Sequence, residues 1–227
     1  MLKKQSLNGP FLRSKNSNSI KNIIVMLHGY GSNGDDLIQI ANQWSQKFED
    51  FIFFAPNAPF INNNLRSGYM WFDVYPGGIA LDEASDDIRK NAYDDYEKSC
   101  ELIKECIYYL SKKYNVELNK IFLLGFSQGS MMSIEVGTQL KNNLAGIISL
   151  SGRVYTEIFS KENRIKSKLL IIHGDRDEII KPFRFIETCE ILEEIGFEVE
   201  KYLINNLGHS INEDVIDFCE KFILNNK

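Results

Sequence analysis

Six short apolar runs recur along this chain, and the stretches between them carry stripes of helical period. The runs fall at 23–27, 51–55, 121–124, 145–150, 169–172 and 197–204. Most are continuous rather than alternating, as expected of strands covered on both faces of a parallel sheet. Between them, Leu37, Ile40, Ala41, Trp44 and Phe48 form one stripe. Tyr96, Cys100, Ile103, Ile107, Leu110 and Tyr114 form a second, at spacings of three and four. Phe185, Cys189 and Leu192 mark a third helix that Gly196 is placed to end, and Ile211, Val215, Phe218 and Phe222 mark a last one. Alternation of this kind predicts a three-layer α/β protein with a mostly parallel sheet and helices on both faces. At 227 residues, one domain spanning 1–227 with a sizeable buried core is expected. Residues 1–20 could add an edge strand or hairpin.

Composition narrows the function. A net charge of −5 gives no electrostatic case for nucleic acid. The first 21 residues are locally basic through Lys3, Lys4, Arg13, Lys15 and Lys21, which reads as a solvated segment. Met1-Leu2-Lys3-Lys4 is not followed by the apolar stretch of a secretory signal. No apolar run approaches the ~18 residues that span a bilayer, so stable membrane insertion is not expected. Cys100, Cys106, Cys189 and Cys219 show no C-x-x-C spacing, and they read as reduced core residues of a cytoplasmic protein.

The chemistry is written around Gly125-Phe126-Ser127-Gln128-Gly129. An apolar run precedes it, and a helical pattern through Met131, Met132, Ile134 and Val136 follows. Strand, Gly-x-Ser-x-Gly, helix is the layout of a nucleophile elbow, in which a strained turn lifts the serine hydroxyl from the end of a strand. A serine needs a base, and the chain has only three histidines. His209 lies in the loop after the last strand, downstream of Ser127 and at the same edge of the sheet, and is the candidate base. His28 and His173 each end a strand and are followed by glycine, so they read as loop anchors. The third member must orient the imidazole. His173-Gly174-Asp175-Arg176-Asp177-Glu178 offers several acids. Asp177, further out along the loop, is preferred to Asp175, whose expected role is to accept backbone N–H bonds that hold the loop. A metal reading of His173, Asp175 and Asp177 has nothing else clustered with it. The oxyanion donors are expected to be the backbone N–H groups of Gln128 and Tyr30, the latter in the glycine-rich loop after the first run. Ser32, Asn33, Asp35 and Asp36 read as caps of the next helix.

The stretch 56–87 breaks the regular pattern with prolines, the pair Gly77-Gly78 and many aromatics. Long irregular segments in compact domains are usually functional, and this one is expected to cover the site as a lid or loop region. Within it Met70, Trp71, Phe72 and Tyr75 are candidate walls of an apolar substrate groove. The acids Asp82, Glu83, Asp86 and Asp87 argue against a strongly anionic substrate at that rim.

Together, Leu27-His28-Gly29-Tyr30-Gly31, Phe54-Ala55-Pro56-Asn57-Ala58-Pro59, Trp71-Phe72-Asp73, Gly125-Phe126-Ser127-Gln128-Gly129, His173-Gly174-Asp175-Arg176-Asp177 and Gly208-His209-Ser210 resemble, in order, the phospholipase/carboxylesterase family of small α/β-hydrolases, which includes the acyl-protein thioesterases. The resemblance runs from about residue 20 to the C-terminus. It implies an α/β-hydrolase fold, Ser127, Asp177 and His209 as triad, Tyr30 and Gln128 as oxyanion donors, and the Trp71 region as lid and acyl-pocket wall. The chain departs from the family in carrying Glu178 where proline often follows the triad aspartate. The expected activity is hydrolysis of short-to-medium acyl esters through an acyl-enzyme on Ser127, with no cofactor or metal. The expected partner is a small acyl ester or thioester, with an acylated protein as a further candidate, and a monomer or homodimer as the assembly. Acyl-protein thioesterase or lysophospholipase is the alternative within the class. A non-catalytic binding protein is the alternative outside it.

Overall fold

Continuous apolar runs become strands here because both faces of the sheet are covered. A computed structural model describes residues 7–15, 19–62, 67–156 and 158–227. Lys3 and Lys4 lie outside the described residues. The main strands are β1 (Phe11–Arg13), β2 (Asn22–Leu27), β3 (Phe51–Phe54), β6 (Ile121–Phe126), β7 (Gly146–Leu150), β8 (Leu169–Gly174) and β9 (Val199–Ile204), and a separate two-stranded hairpin comprises β4 (Phe60–Ile61) and β5 (Tyr69–Met70). The sheet order is β1-β3-β2-β6-β7-β8-β9. Every pairing is parallel except β1 with β3, so the expected edge strand is present and antiparallel.

The helices are α1 (Gly34–Leu37), α2 (Ala41–Lys47), α3 (Asp86–Tyr114), α4 (Gln128–Gly137), α5 (Pro182–Glu194) and α6 (Glu213–Asn226). Two-residue periodicity splits β2 between the two cores. Ile23, Val25 and Leu27 pack with side chains of α3, α4 and α5, whereas Ile24 and Met26 pack with those of α1, α2 and α6. This is the three-layer arrangement that the sequence pattern predicts. Local chemistry fixes the ends. Asn33 caps α1 by accepting the Asp36 N–H at 2.9 Å, and Asn212 caps α6 by accepting that of Val215 at 3.1 Å. Gly196, at φ 86°, closes α5 with its own N–H and that of Phe197 donated to the carbonyls of Glu193 and Leu192. Asp86 and Asp87 fall in the first turn of α3, where the helix dipole favours negative charge.

Six parallel strands share one direction, so their carboxyl ends, and the loops that leave them, gather at one edge. Ser127, Arg153, Asp177 and His209 all lie in segments following strands β6, β7, β8 and β9. That edge is where α/β sheets of this kind place ligands.

Candidate active site

Ser127 occupies the one residue between β6 and α4, with φ 55° and ψ −117°, a left-handed backbone rarely adopted by residues other than glycine. The flanking glycines permit it. A Cβ on Gly125 would run into the carbonyl oxygen of Gly129, and a Cβ on Gly129 would run into that of Leu27. The turn is pinned by the Ser127 N–H, which donates to Leu150 O at 2.9 Å.

An unbroken chain of hydrogen bonds leads away from this serine. Ser127 Oγ lies 2.9 Å from His209 Nε2, and His209 Nδ1 lies 2.7 Å from Asp177 Oδ2. In the tautomer this arrangement calls for, Nδ1–H donates to the carboxylate and Nε2 accepts the serine proton. Asp177 is buried, while His209 and Ser127 are half-buried and line a cavity. The other oxygen of Asp177 accepts the N–H groups of Ile179 at 2.9 Å and Ile180 at 2.8 Å.

This last observation corrects the expectation for Asp175. The backbone bonds that hold the loop end on Asp177, which faces the next turn of chain and serves loop and imidazole with different oxygens. Asp175 Oδ1 is instead buried without a hydrogen-bond partner among the described residues. His173, read as an anchor, sits 2.7 Å from Ile180 O through Nε2 and 3.3 Å from Asp177 Oδ2, so it steadies the acid itself. The sequence gives no sign of that contact beyond the i,i+4 spacing of the two residues. His28 donates Nδ1–H to Gly29 O and accepts the Ala58 N–H at Nε2. Burial pushes its pKa down to about 4, and burial lowers that of His173 too. Among the described residues no His, Cys, Asp and Glu cluster could hold a metal ion.

Ser127 opens into a cavity of about 490 Å³ that Tyr30, Gln128 and His209 also line. Gln128 is the first residue of α4, and its N–H makes no hydrogen bond among the described residues. Its side chain points the other way. Oε1 accepts the Trp71 N–H at 3.0 Å and Nε2 donates to Phe72 O at 2.7 Å, stitching segment 71–72 to the serine turn.

Of the four aromatic-region residues expected in the pocket wall, only Tyr75 lines the cavity. Trp71 and Phe72 have no exposed surface. Trp71 donates its indole N–H to His28 O at 2.9 Å, and Phe72 packs edge-on against Tyr96 and Tyr155. Met70 pairs with Phe60 in the small hairpin. A side chain held on every side by the core cannot face a ligand. The wall is built instead from Val74, Met131, Tyr155, Ile179, Ile180 and Phe183, together with the charged Arg153, Lys181, Arg184, Asp82 and Glu83. Asp82 is no bare negative charge. Its Oδ2 lies 3.2 Å from Arg153 Nη2 and 3.6 Å from Arg184 Nη2. The predicted acidic rim is therefore offset by cations from two other segments. Their position just after β7 and at the start of α5 was the available signal for them.

The family model described as Phospholipase/Carboxylesterase matches residues 9–226. The chain belongs to the phospholipase/carboxylesterase family. Among curated relatives, a protein of Candida albicans called acyl-protein thioesterase 1 is 30% identical over 224 residues, covering 92% of this chain and 94% of its own. A protein of the same name from Aspergillus fumigatus is 31% identical, with 88% and 87% covered. Among solved structures, esterase PE8 superposes with a TM-score of 0.87 at 28% identity, covering 97% of this chain and 99% of the other. The Bacillus cereus carboxylesterase, at 18% identity and a TM-score of 0.75, shares the fold. The chain is an α/β-hydrolase and a hydrolase of the carboxylesterase or thioesterase type.

Proposed function

We propose that this protein hydrolyses short-to-medium acyl esters or thioesters through an acyl-enzyme on Ser127, with His209 as base and Asp177 as the group that orients it. The observation that carries this reading is the continuous hydrogen-bond path from Ser127 Oγ through the imidazole to a buried carboxylate. Ser127 Oγ attacks the acyl carbonyl and gives its proton to His209 Nε2. The tetrahedral oxyanion is held by the N–H groups of Gln128 and Tyr30, each such donor lowering the barrier by roughly 3 kcal/mol. Collapse expels the alcohol or thiol, which takes the proton from His209. Water, deprotonated by the same imidazole, then attacks the acyl-enzyme and regenerates Ser127. No cofactor enters these steps.

In the same reading, residues 1–227 form one α/β-hydrolase domain, and the segment 56–87 overlies the active site. Its Tyr75, Asp82 and Glu83 on the cavity wall support that role. A cytoplasmic location fits four free, buried cysteines, and no helix among the described residues is long and apolar enough to cross a membrane. Acylated proteins are the second substrate class we propose, on the strength of the relatives named acyl-protein thioesterase. The assembly is a monomer or homodimer.

The deciding experiment is covalent labelling with a fluorophosphonate, followed by peptide mapping. Modification at Ser127, absent in Ser127→Ala, is the expected result. A folded protein that resists labelling would instead be a non-catalytic binder on this fold.

A further inference from the structure

We propose that Arg153 binds a carboxylate carried by the substrate; this rests on Ser127 being the nucleophile of the cavity that Arg153 lines. The guanidinium is nine-tenths buried, its side chain 9% exposed, and lies against the Tyr155 ring at 4.3 Å. Among the described residues its one hydrogen bond goes from Nη2 to Asp82 at 3.2 Å. That carboxylate is shared with Arg184, whose Nη1 also donates to Glu187 at 2.8 Å. The remaining donors of Arg153 meet no acceptor among the described residues. A guanidinium carries five N–H donors, and those left over on Arg153 are not buried orphans but remain open to solvent on a residue of the cavity wall.

The same chain shows what a structural buried arginine looks like. Arg164, equally buried, donates Nε to Ser160 O, Nη1 to Glu135 O and Thr138 Oγ1, and Nη2 to both oxygens of Glu135. Nothing is left over. Arg153 differs in that its unfilled donors are on a residue that lines the cavity of Ser127. Charge points to the ligand's valence. Arg153, Lys181 and Arg184 share the cavity wall with Asp82 and Glu83, and Glu187, 2.8 Å from Arg184, brings the balance to three cations and three anions. A planar monoanion suits the fork of the guanidinium, whereas a phosphate monoester would bring a second negative charge to a wall with no cation to spare.

The carboxylate can belong to the acyl part or to the leaving group, and two substrate pairs separate these. The first pair is the p-nitrophenyl half-ester of glutaric acid against p-nitrophenyl valerate. The second is the butyrate ester of 4-hydroxybenzoate against that of its methyl ester. In one pair, Arg153→Gln is expected to lower the anionic-to-neutral ratio of kcat/KM by about 10- to 100-fold relative to wild type. Asp82→Asn, which removes the internal competitor, is expected to raise the ratio in that same pair. Melting curves verify folding. If Arg153→Gln does not fold, an Asp82→Asn ratio equal to wild type in both pairs overturns the proposal. So does a folded Arg153→Gln with wild-type ratios. Fluorophosphonate labelling of Ser127 run in parallel keeps the two readings apart. Labelled enzyme indifferent to the carboxylate refutes the role of Arg153 alone, and unlabelled Ser127 refutes the hydrolase reading beneath it.

Discussion

At the scale of single residues, Asp177 holds two jobs on its two oxygens, and its neighbour Asp175 holds neither. Asp177→Asn should place the wrong tautomer of His209 before Ser127 and lower turnover on the order of 10⁴. Asp175→Asn should leave turnover within a few-fold. Because Asp175 Oδ1 is buried without a partner, removing its charge should leave the melting temperature unchanged or higher. Steady-state kinetics and thermal melts of the two variants test this, and the opposite assignment of roles would give the opposite pattern. The triad candidates were legible in the sequence because the search was small. Only three histidines exist, and of the two after Ser127 only His209 lies in a loop after a strand, His173 being inside β8. Asp177 could be preferred to Asp175 by position alone. The reason for the preference, a carboxylate turned back over the N–H groups of Ile179 and Ile180, is a property of the folded loop.

At the scale of elements, the strands were readable because burial on both faces leaves no polar alternation to confuse them, as in the fully buried run of β2. The segment 56–87 was not. Its aromatics have the same composition whether they line a groove or fill a core, and only the packing of Tyr96 and Tyr155 around Phe72 decides. The cavity wall escaped sequence reading for a related cause. Arg153 and Tyr155 come from the stretch after β7 and Phe183 from α5 after β8, and the two meet only when those strands lie side by side. Two substitutions separate the buried aromatics from the lining ones. Trp71→Ala should destabilise by about 3–5 kcal/mol through an unfilled cavity and a lost indole bond. Tyr75→Ala should leave the urea midpoint nearly unchanged and alter how kcat/KM varies along a series of acetyl, butyryl and octanoyl esters. A Trp71→Ala protein of wild-type stability would contradict the placement of that ring in the core.

At the scale of the whole molecule, acid is expected to unfold the protein earlier than its carboxylates alone require. His28 is held neutral by burial, its pKa lowered from 6.5 to about 4, and His173 is lowered for the same reason. Between those values the unfolded chain takes up protons that the folded chain refuses. Stability is therefore complete above pH 6.5 and falls as pH drops toward 4. His28 alone accounts for about 2 kcal/mol by pH 5. Urea midpoints at pH 7.5, 6.5, 5.5 and 5.0 should decline over the last three, and a flat series would show that these imidazoles do not resist protonation. A second consequence reaches the entire fold from one residue. Ser127 sits where an L-amino acid is strained by roughly 1–3 kcal/mol, and glycine is not. Ser127→Gly should thus be inert yet melt several degrees higher than wild type. On the proposed mechanism, thermostability and reactivity pull in opposite directions at a single codon, so a lineage released from selection for hydrolysis would gain robustness by discarding Ser127.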